Sequence, residues 1–159
     1  MNRSQFLKLL VSILLPLGLG SLAGIFTAEA VPEWFATLKK PSFNPPNWVF
    51  GPVWTTLYIL MGFSLYLIWK EDVSKRRNLA LVVFLFQLVL NFCWSFIFFY
   101  FNMIGFALVE IILLWICIVV MLVLFYKIKP VAAFINIPYL LWVTFATILN
   151  ASYYFLNRS

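Results

Sequence analysis

Few side chains in this 159-residue chain can do chemistry, and most of those sit inside apolar runs. Histidine is absent, so the commonest metal ligand and the usual general base near neutral pH are both missing. Cys93 and Cys117 fall in the middle of different apolar stretches, where a thiol packs as a small hydrophobe rather than joining a disulfide framework or a zinc site. Glu110 stands out among the carboxyls. It lies roughly 9 Å along the axis of a helix that opens near Ile104, and an ionisable group at such depth in a membrane is a functional candidate by default. The plainer alternative, slightly favoured because no cation lies at its level, is a protonated or hydrogen-bonded carboxyl that pins helix packing. Gln87, Asn91 and Ser95 recur every four residues and share one helix face. Polar side chains in a membrane helix face protein or a water-filled cavity, so interhelical hydrogen bonding and a cavity-lining role for Asn91 stand level. Trp54, Tyr58, Met61, Leu65 and Trp69 form an apolar stripe that reads first as helix packing or an interfacial belt.

The elements that carry these residues follow from composition. Hydrophobic residues make up 65% of the chain, aromatics 20% and charged residues 10%, where soluble domains carry roughly a quarter charged residues. An all-α integral membrane protein of one domain is expected, a bundle of five transmembrane helices at roughly 20 apolar residues per crossing. The spans fall at about 6–26, 51–69, 79–101, 104–126 and 131–155, with a long structured loop, 27–50, between helices 1 and 2. The net charge of +6 could suggest nucleic acid, but the basic residues flank apolar spans and a topology signal is simpler, so no nucleic-acid partner is expected.

In span 1, Arg3 and Lys8 precede a Leu-rich run, and Ala28-Glu29-Ala30 after it makes a small-x-small pattern of the signal-peptide type. Its apolar stretch exceeds the usual signal core, so a retained helix is favoured. Pro16 leaves the Ser12 carbonyl without its helical donor, and Gly20 and Gly24 form a GxxxG pair suited to close packing within the bundle or, less simply, to a homodimer. Pro32 is placed to open a short helix that folds Trp34, Phe35 and Leu38 over the bundle or lays them at the interface. The stretch Lys39 to Trp54 holds Pro41, Pro45, Pro46 and Pro52; the first three make it stiff and irregular, while Pro52 suits the first turn of a helix beginning near Gly51. That rigid loop delivers Trp54. Lys70 to Arg77 reads as a loop too charged for burial. In span 5 a stripe of Asn136, Tyr139, Thr147, Asn150 and Tyr154 lies beside a face with Trp142 and Ala146, and Pro138 is expected to bend the helix. Leu149, Tyr153 and Arg158 fit the loose sterol-contact pattern, which many aromatic-basic helix ends match.

Five spans put Arg3, Lys8, Lys70, Lys75, Arg76, Arg77, Lys127 and Lys129 on one side and Lys39, Lys40 and Arg158 on the other. The positive-inside rule then places the N-terminus in the cytoplasm and the proline-aromatic loop outside, in a membrane expected to be the bacterial cytoplasmic one.

Four motifs in order carry a resemblance: W-x-x-x-x-K-K-P-S-F-x-P-P-x-W-x-F-G-P-V-W-T from Trp34 to Thr55, L-Y-x-x-M from Leu57 to Met61, Q-x-x-x-N-x-x-W-S from Gln87 to Ser95, and P-Y-x-x-W-x-x-F-A-x-x-L-N from Pro138 to Asn150. Over nearly its whole length the chain resembles the tryptophan-rich sensory protein, or translocator protein, family (TspO/MBR), which includes the peripheral-type benzodiazepine receptors. The resemblance implies a five-helix bundle whose pocket, closed by the first loop, takes porphyrins such as protoporphyrin IX and haem, isoquinoline-type drugs and, in mitochondrial members, the sterol cholesterol. It implies pocket roles for Trp54 on helix 2 and Trp142 on helix 5, ligand contact for Asn91, covering roles for Trp34, Pro45 and Phe50, and a size-determining role for Ala146. No cofactor is required; porphyrin or haem enters as ligand.

Indoles offer wide stacking faces and one N–H donor, which suits a flat macrocycle. Without histidine, haem would bind with other ligation or none, which favours the metal-free macrocycle. Three functions remain open at this stage. The first and favoured is a receptor or translocator for porphyrins and related lipophilic ligands. The second is light- and oxygen-dependent degradation of protoporphyrin IX with Trp54 and Trp142 as the reactive, catalytic pair, although no ordinary acid, base, nucleophile or metal centre accompanies them. The third is a membrane interaction or scaffold protein.

Overall fold

Apolar runs of this length become continuous helices in the computed structural model, which describes residues 3–158; Met1, Asn2 and Ser159 lie outside the described residues. In chain order these are α1 (Arg3–Thr27), a π-helical turn at Val31–Phe35, α2 (Asn47–Trp69), α3 (Lys75–Ser95) prolonged by a π-helical turn at Phe96–Tyr100, α4 (Ile104–Ile128), a short α5 (Pro130–Ile135) and α6 (Ile137–Asn157). Every element among the described residues is helical. Five segments are long and apolar enough to cross a bilayer, the fifth being α5 and α6 together. The chain is an all-helical, five-span integral membrane protein.

Three boundaries differ from the sequence reading. α2 begins at Asn47, a turn before Gly51, because Pro46 needs only its own extended backbone (φ −56°, ψ 143°) before the helix can start. Pro52 therefore lies inside α2 and deprives the Trp48 carbonyl of its donor, which is tolerated in an exposed first turn. The charged loop after α2 is shorter than expected. Ser74, in extended conformation, accepts the Arg77 amide at 3.1 Å and starts α3 at Lys75. Arg77 is buried rather than solvated, its guanidinium donating to the Trp69 carbonyl at 2.7 Å and so closing the end of α2. The fifth span breaks at Asn136, where Pro138 removes the donor for Phe134 and enters the first turn of α6.

The bundle is filled unevenly. On the half away from the 27–50 loop, Met61 and Ile68 of α2, Phe84 of α3, Ile118, Met121 and Phe125 of α4 and Ala132 of α5 are wholly buried in one cluster. Asn136 donates to Ser64, and the Ser64 hydroxyl donates to the Ala132 carbonyl at 2.7 Å, so the break in span 5 is sealed against α2. A smaller cluster of Phe35, Phe98, Ala107, Leu149 and Tyr153 occupies the loop half. Outward positions such as Leu14, Ile25, Phe106, Val109 and Leu141 are exposed, as lipid contact requires.

Small residues set the distance between α1 and α2. A Cβ on Gly62 would lie 2.6 Å from the Ile13 Cα and 2.8 Å from the Ser12 carbonyl oxygen, the same carbonyl that Pro16 leaves free. Gly20 makes room for the Tyr58 ring, whereas a Cβ on Gly24 would meet nothing within 4 Å. The GxxxG pair thus divides its work inside the chain: Gly20 receives an aromatic ring, and Gly24 leaves space.

Candidate functional site

The loop that delivers Trp54 is anchored at both ends by side chains of α6. The Tyr153 hydroxyl donates to Asn44, the Lys39 amide donates to the Asn157 side-chain oxygen at 2.9 Å, and the Asn157 amide donates to the Lys39 carbonyl at 3.0 Å. Phe43 meets Phe145 edge-on at 6.4 Å between ring centroids. Of the two placements open to the turn at Val31–Phe35, the structure has it folded over the bundle: Phe35 is buried against Phe98, Phe99 and Tyr153, with centroids 6.2, 5.6 and 5.4 Å away.

Beneath this cover lies a cavity of about 420 Å³ between α1, α2, the end of α3 and α6, within the roughly 300–1,000 Å³ range of small-molecule sites. Trp54 on α2 stacks on Tyr58 at 5.5 Å with an interplanar angle of 25°, and Trp142 on α6 meets Phe50 edge-on at 5.9 Å. Trp94 stacks on Phe98 at 5.3 Å, and its indole N–H donates to Asn150 at 3.0 Å. The opposite wall is the small-residue face of α1, including Gly20, Ala23 and Gly24. No Asp, Glu, Lys or Arg lines the cavity.

Most polar groups of the wall are already committed. Thr27 donates to the Ala23 carbonyl, Thr55 to the Gly51 carbonyl, and the Asn150 amide to the Ile104 carbonyl. The Tyr58 hydroxyl donates to Asn91 at 2.8 Å, the Asn91 amide to the Tyr139 hydroxyl at 3.1 Å, and Tyr139 to Gln87 at 2.7 Å. This chain ties α2, α3 and α6 together and holds the Tyr58 ring against Trp54. The Trp142 indole N–H, in contrast, is buried and finds no acceptor among the described residues. The arrangement can stack and enclose a flat apolar body; among the described residues no group of three His, Cys, Asp or Glu side chains could hold a metal ion.

The sequence profile of the TspO/MBR family matches residues 12–156, which include every residue lining this cavity. The chain belongs to the TspO/MBR family. It is 42% identical over 153 residues to the tryptophan-rich protein TspO of Archaeoglobus fulgidus, covering 96% of this chain and 99% of that one. It is 43% identical over 120 residues to the human translocator protein, covering 74% and 71% of the two chains, and 34% identical over 118 residues to a tryptophan-rich sensory protein of Cereibacter sphaeroides, covering 74% and 73%.

Against the positions singled out from the family's motifs, the structure brings Phe50, Trp54, Trp142 and Ala146 to the cavity wall. Trp34 packs edge-on against Phe98 at 5.6 Å, outside the lining. Pro45 is also outside it and offers its carbonyl to the Asn44 amide at 3.0 Å. Asn91 lies behind Tyr58, as an interhelical hydrogen-bonding residue rather than a lining one. Glu110 is buried outside this lining, and neither carboxyl oxygen has a hydrogen-bond partner among the described residues. Leu149 and Tyr153 of the sterol-type pattern face this interior rather than lipid.

The sequence reading missed Tyr58, Trp94, Phe98, Asn150 and Tyr153 as cavity residues. Tyr58 and Trp94 sat in plain view within the motifs; the π-helical turn that swings Phe98 inward has no comparable signal.

Proposed function

We propose that the chain is a membrane receptor or translocator that captures porphyrins, protoporphyrin IX or haem, and related lipophilic ligands in this cavity for sensing, sequestration or transport. The cavity itself carries the reading. It combines two indole faces, of Trp54 and Trp142, with an aromatic floor and an uncharged lining. A macrocycle would stack against these faces with its carboxylate edge kept at the mouth, since a carboxylate enclosed without a partner is costly. Phe50, Trp54, Trp142 and Ala146 would touch the ligand, Trp34 and Pro45 would support the cover, and Asn91 would act through Tyr58. The names of the human relative, a translocator, and of the Cereibacter sphaeroides relative, a sensory protein, agree with this class of function. The excess of basic residues on the side away from the loop supports an N-terminus inside a bacterial cytoplasmic membrane.

A second reading, light-driven porphyrin oxidation with dioxygen as oxidant, is favoured by one observation: Trp54 and Trp142 line the same cavity. Purified protein titrated with protoporphyrin IX in the dark and then illuminated in air separates the two. Saturable spectral change with an intact macrocycle is the expected result. Macrocycle loss that disappears in Trp54→Phe and Trp142→Phe would replace it with the second reading, and no saturable binding would sink both.

A further inference from the structure

We propose that the cavity exchanges ligand sideways with the bilayer, through a portal between the loop-side halves of α1 and α2, and not through the aqueous face of the loop. The inference rests on the reading of the cavity as a ligand site and specifies where its ligands come from: they are molecules dissolved in the leaflet on the loop side.

Four glycines measure the gap between α1 and α2. At Gly62 the two backbones touch, since an added Cβ would lie 2.6 Å from the Ile13 Cα. Further toward the loop, at Gly20, the helices are separated by the Tyr58 ring. At Gly24 on α1 and Gly51 on α2, an added Cβ would meet nothing within 4 Å. On the loop side, therefore, no atom of the neighbouring helix stands against either of these glycines. Pro16 lies on α1 between the contact and the gap, at a point where its missing amide frees the Ser12 carbonyl and allows the helix to bend. Gly24 and Ser21 on α1 and Gly51 and Thr55 on α2 are each exposed and each line the cavity.

Other boundaries are bridged by side chains; between α2 and α6, Phe50 meets Trp142 edge-on at 5.9 Å and Trp54 meets Tyr139 edge-on at 6.4 Å. On the far side of α1, Phe26 packs on Phe96 with centroids 5.9 Å apart, closing the seam with the end of α3. Above, the loop is held to α6 by the Asn44–Tyr153 and Lys39–Asn157 hydrogen bonds and by the Phe43–Phe145 ring pair. Access through the loop would require breaking these contacts. Access between α1 and α2 requires only displacing lipid from small side chains.

A thiol inside the cavity reports the route without any porphyrin. Ala146, buried and lining the cavity, is replaced in an Ala146→Cys variant that also carries Cys93→Ala and Cys117→Ala, reconstituted in phosphatidylcholine vesicles. Its modification is followed with N-phenylmaleimide, which dissolves in the bilayer, and with a sulfonated maleimide, which does not. The portal predicts labelling by the apolar reagent roughly tenfold faster or more than by the charged one. It predicts a further slowing of roughly fivefold or more on adding Gly24→Phe or Thr55→Phe, which put a ring into the gap. Thr55→Phe keeps the test alive if Gly24→Phe fails to assemble, because the Thr55 side chain is exposed. Equal labelling by both reagents, or rates unchanged within about twofold in a folded portal variant, would overturn the proposal. Failure of porphyrin binding would remove the ligand assignment and leave this result standing.

Discussion

Tyr139 shows what a single buried hydroxyl does in this bundle. Wholly buried, it accepts from Asn91 and donates to Gln87, so it closes a chain whose other end orients Tyr58 under Trp54. Hydrogen bonds between membrane helices are worth about 0.6 kcal/mol on average and up to about 1.7. Tyr139→Phe is therefore expected to lower the stability of the purified protein by about 1–2 kcal/mol, read as a fall in midpoint in a thermal or denaturant unfolding experiment in detergent. Asn91→Ala, which unties both tyrosines, should destabilise at least as much, yet change porphyrin affinity less than Trp142→Ala does, because Asn91 is not on the cavity wall. Titration of the two variants under one set of conditions checks that order; a larger affinity loss in Asn91→Ala would put Asn91 in the site after all. At this scale the sequence was informative about residue type. Indoles and a four-residue polar spacing announced stacking and hydrogen bonding. The partners were illegible, because Tyr153 meets Asn44 across 109 positions of chain and Trp94 meets Asn150 across 56.

Among the elements, α1 and α2 decide the shape of the cavity. Their contact at Gly62 leaves no space for a side chain, and the backbone it faces cannot rotate away. Gly62→Leu is expected to cost about 1–3 kcal/mol through overpacking, or to prevent assembly. Gly24→Ala, with nothing near its Cβ, should leave stability within about 0.5 kcal/mol. Unfolding midpoints of the two variants decide this, and equal losses would mean that the helix separation does not follow the glycines. The five spans and the prolines that punctuate them could be read from hydropathy and ring chemistry alone. Helix starts could not: a proline pair allows a helix to begin at the very next residue, and Ser74 draws Lys75 to Arg77 into α3 because a cap overrides the expectation that a charged run is a loop. The split role of Gly20 and Gly24 was equally hidden, since a GxxxG spacing does not say which glycine meets a partner.

As a whole, the molecule joins a tightly filled half to a hollow one. The filled half, away from the loop, is built from wholly buried aliphatic and aromatic side chains and sealed at Asn136. The hollow half is walled by aromatics, covered by a pinned loop and uncharged within. In the proposed function the filled half would supply rigidity, and the other would supply the enclosed surface for a ligand. This division also places Glu110, a buried carboxyl without a hydrogen-bond partner among the described residues, outside the cavity and outside the proposed function.

The most direct test of that function is to fill the cavity. Ala146 lines it and is buried, so Ala146→Trp puts an indole where a ligand would lie. Dark titration with protoporphyrin IX, followed by porphyrin absorbance and tryptophan quenching, should give saturable binding at about one ligand per chain in the unaltered protein, and a loss of roughly tenfold or more in affinity in the variant. Saturable binding of equal strength in a folded Ala146→Trp protein would contradict the assignment of this cavity as the porphyrin site.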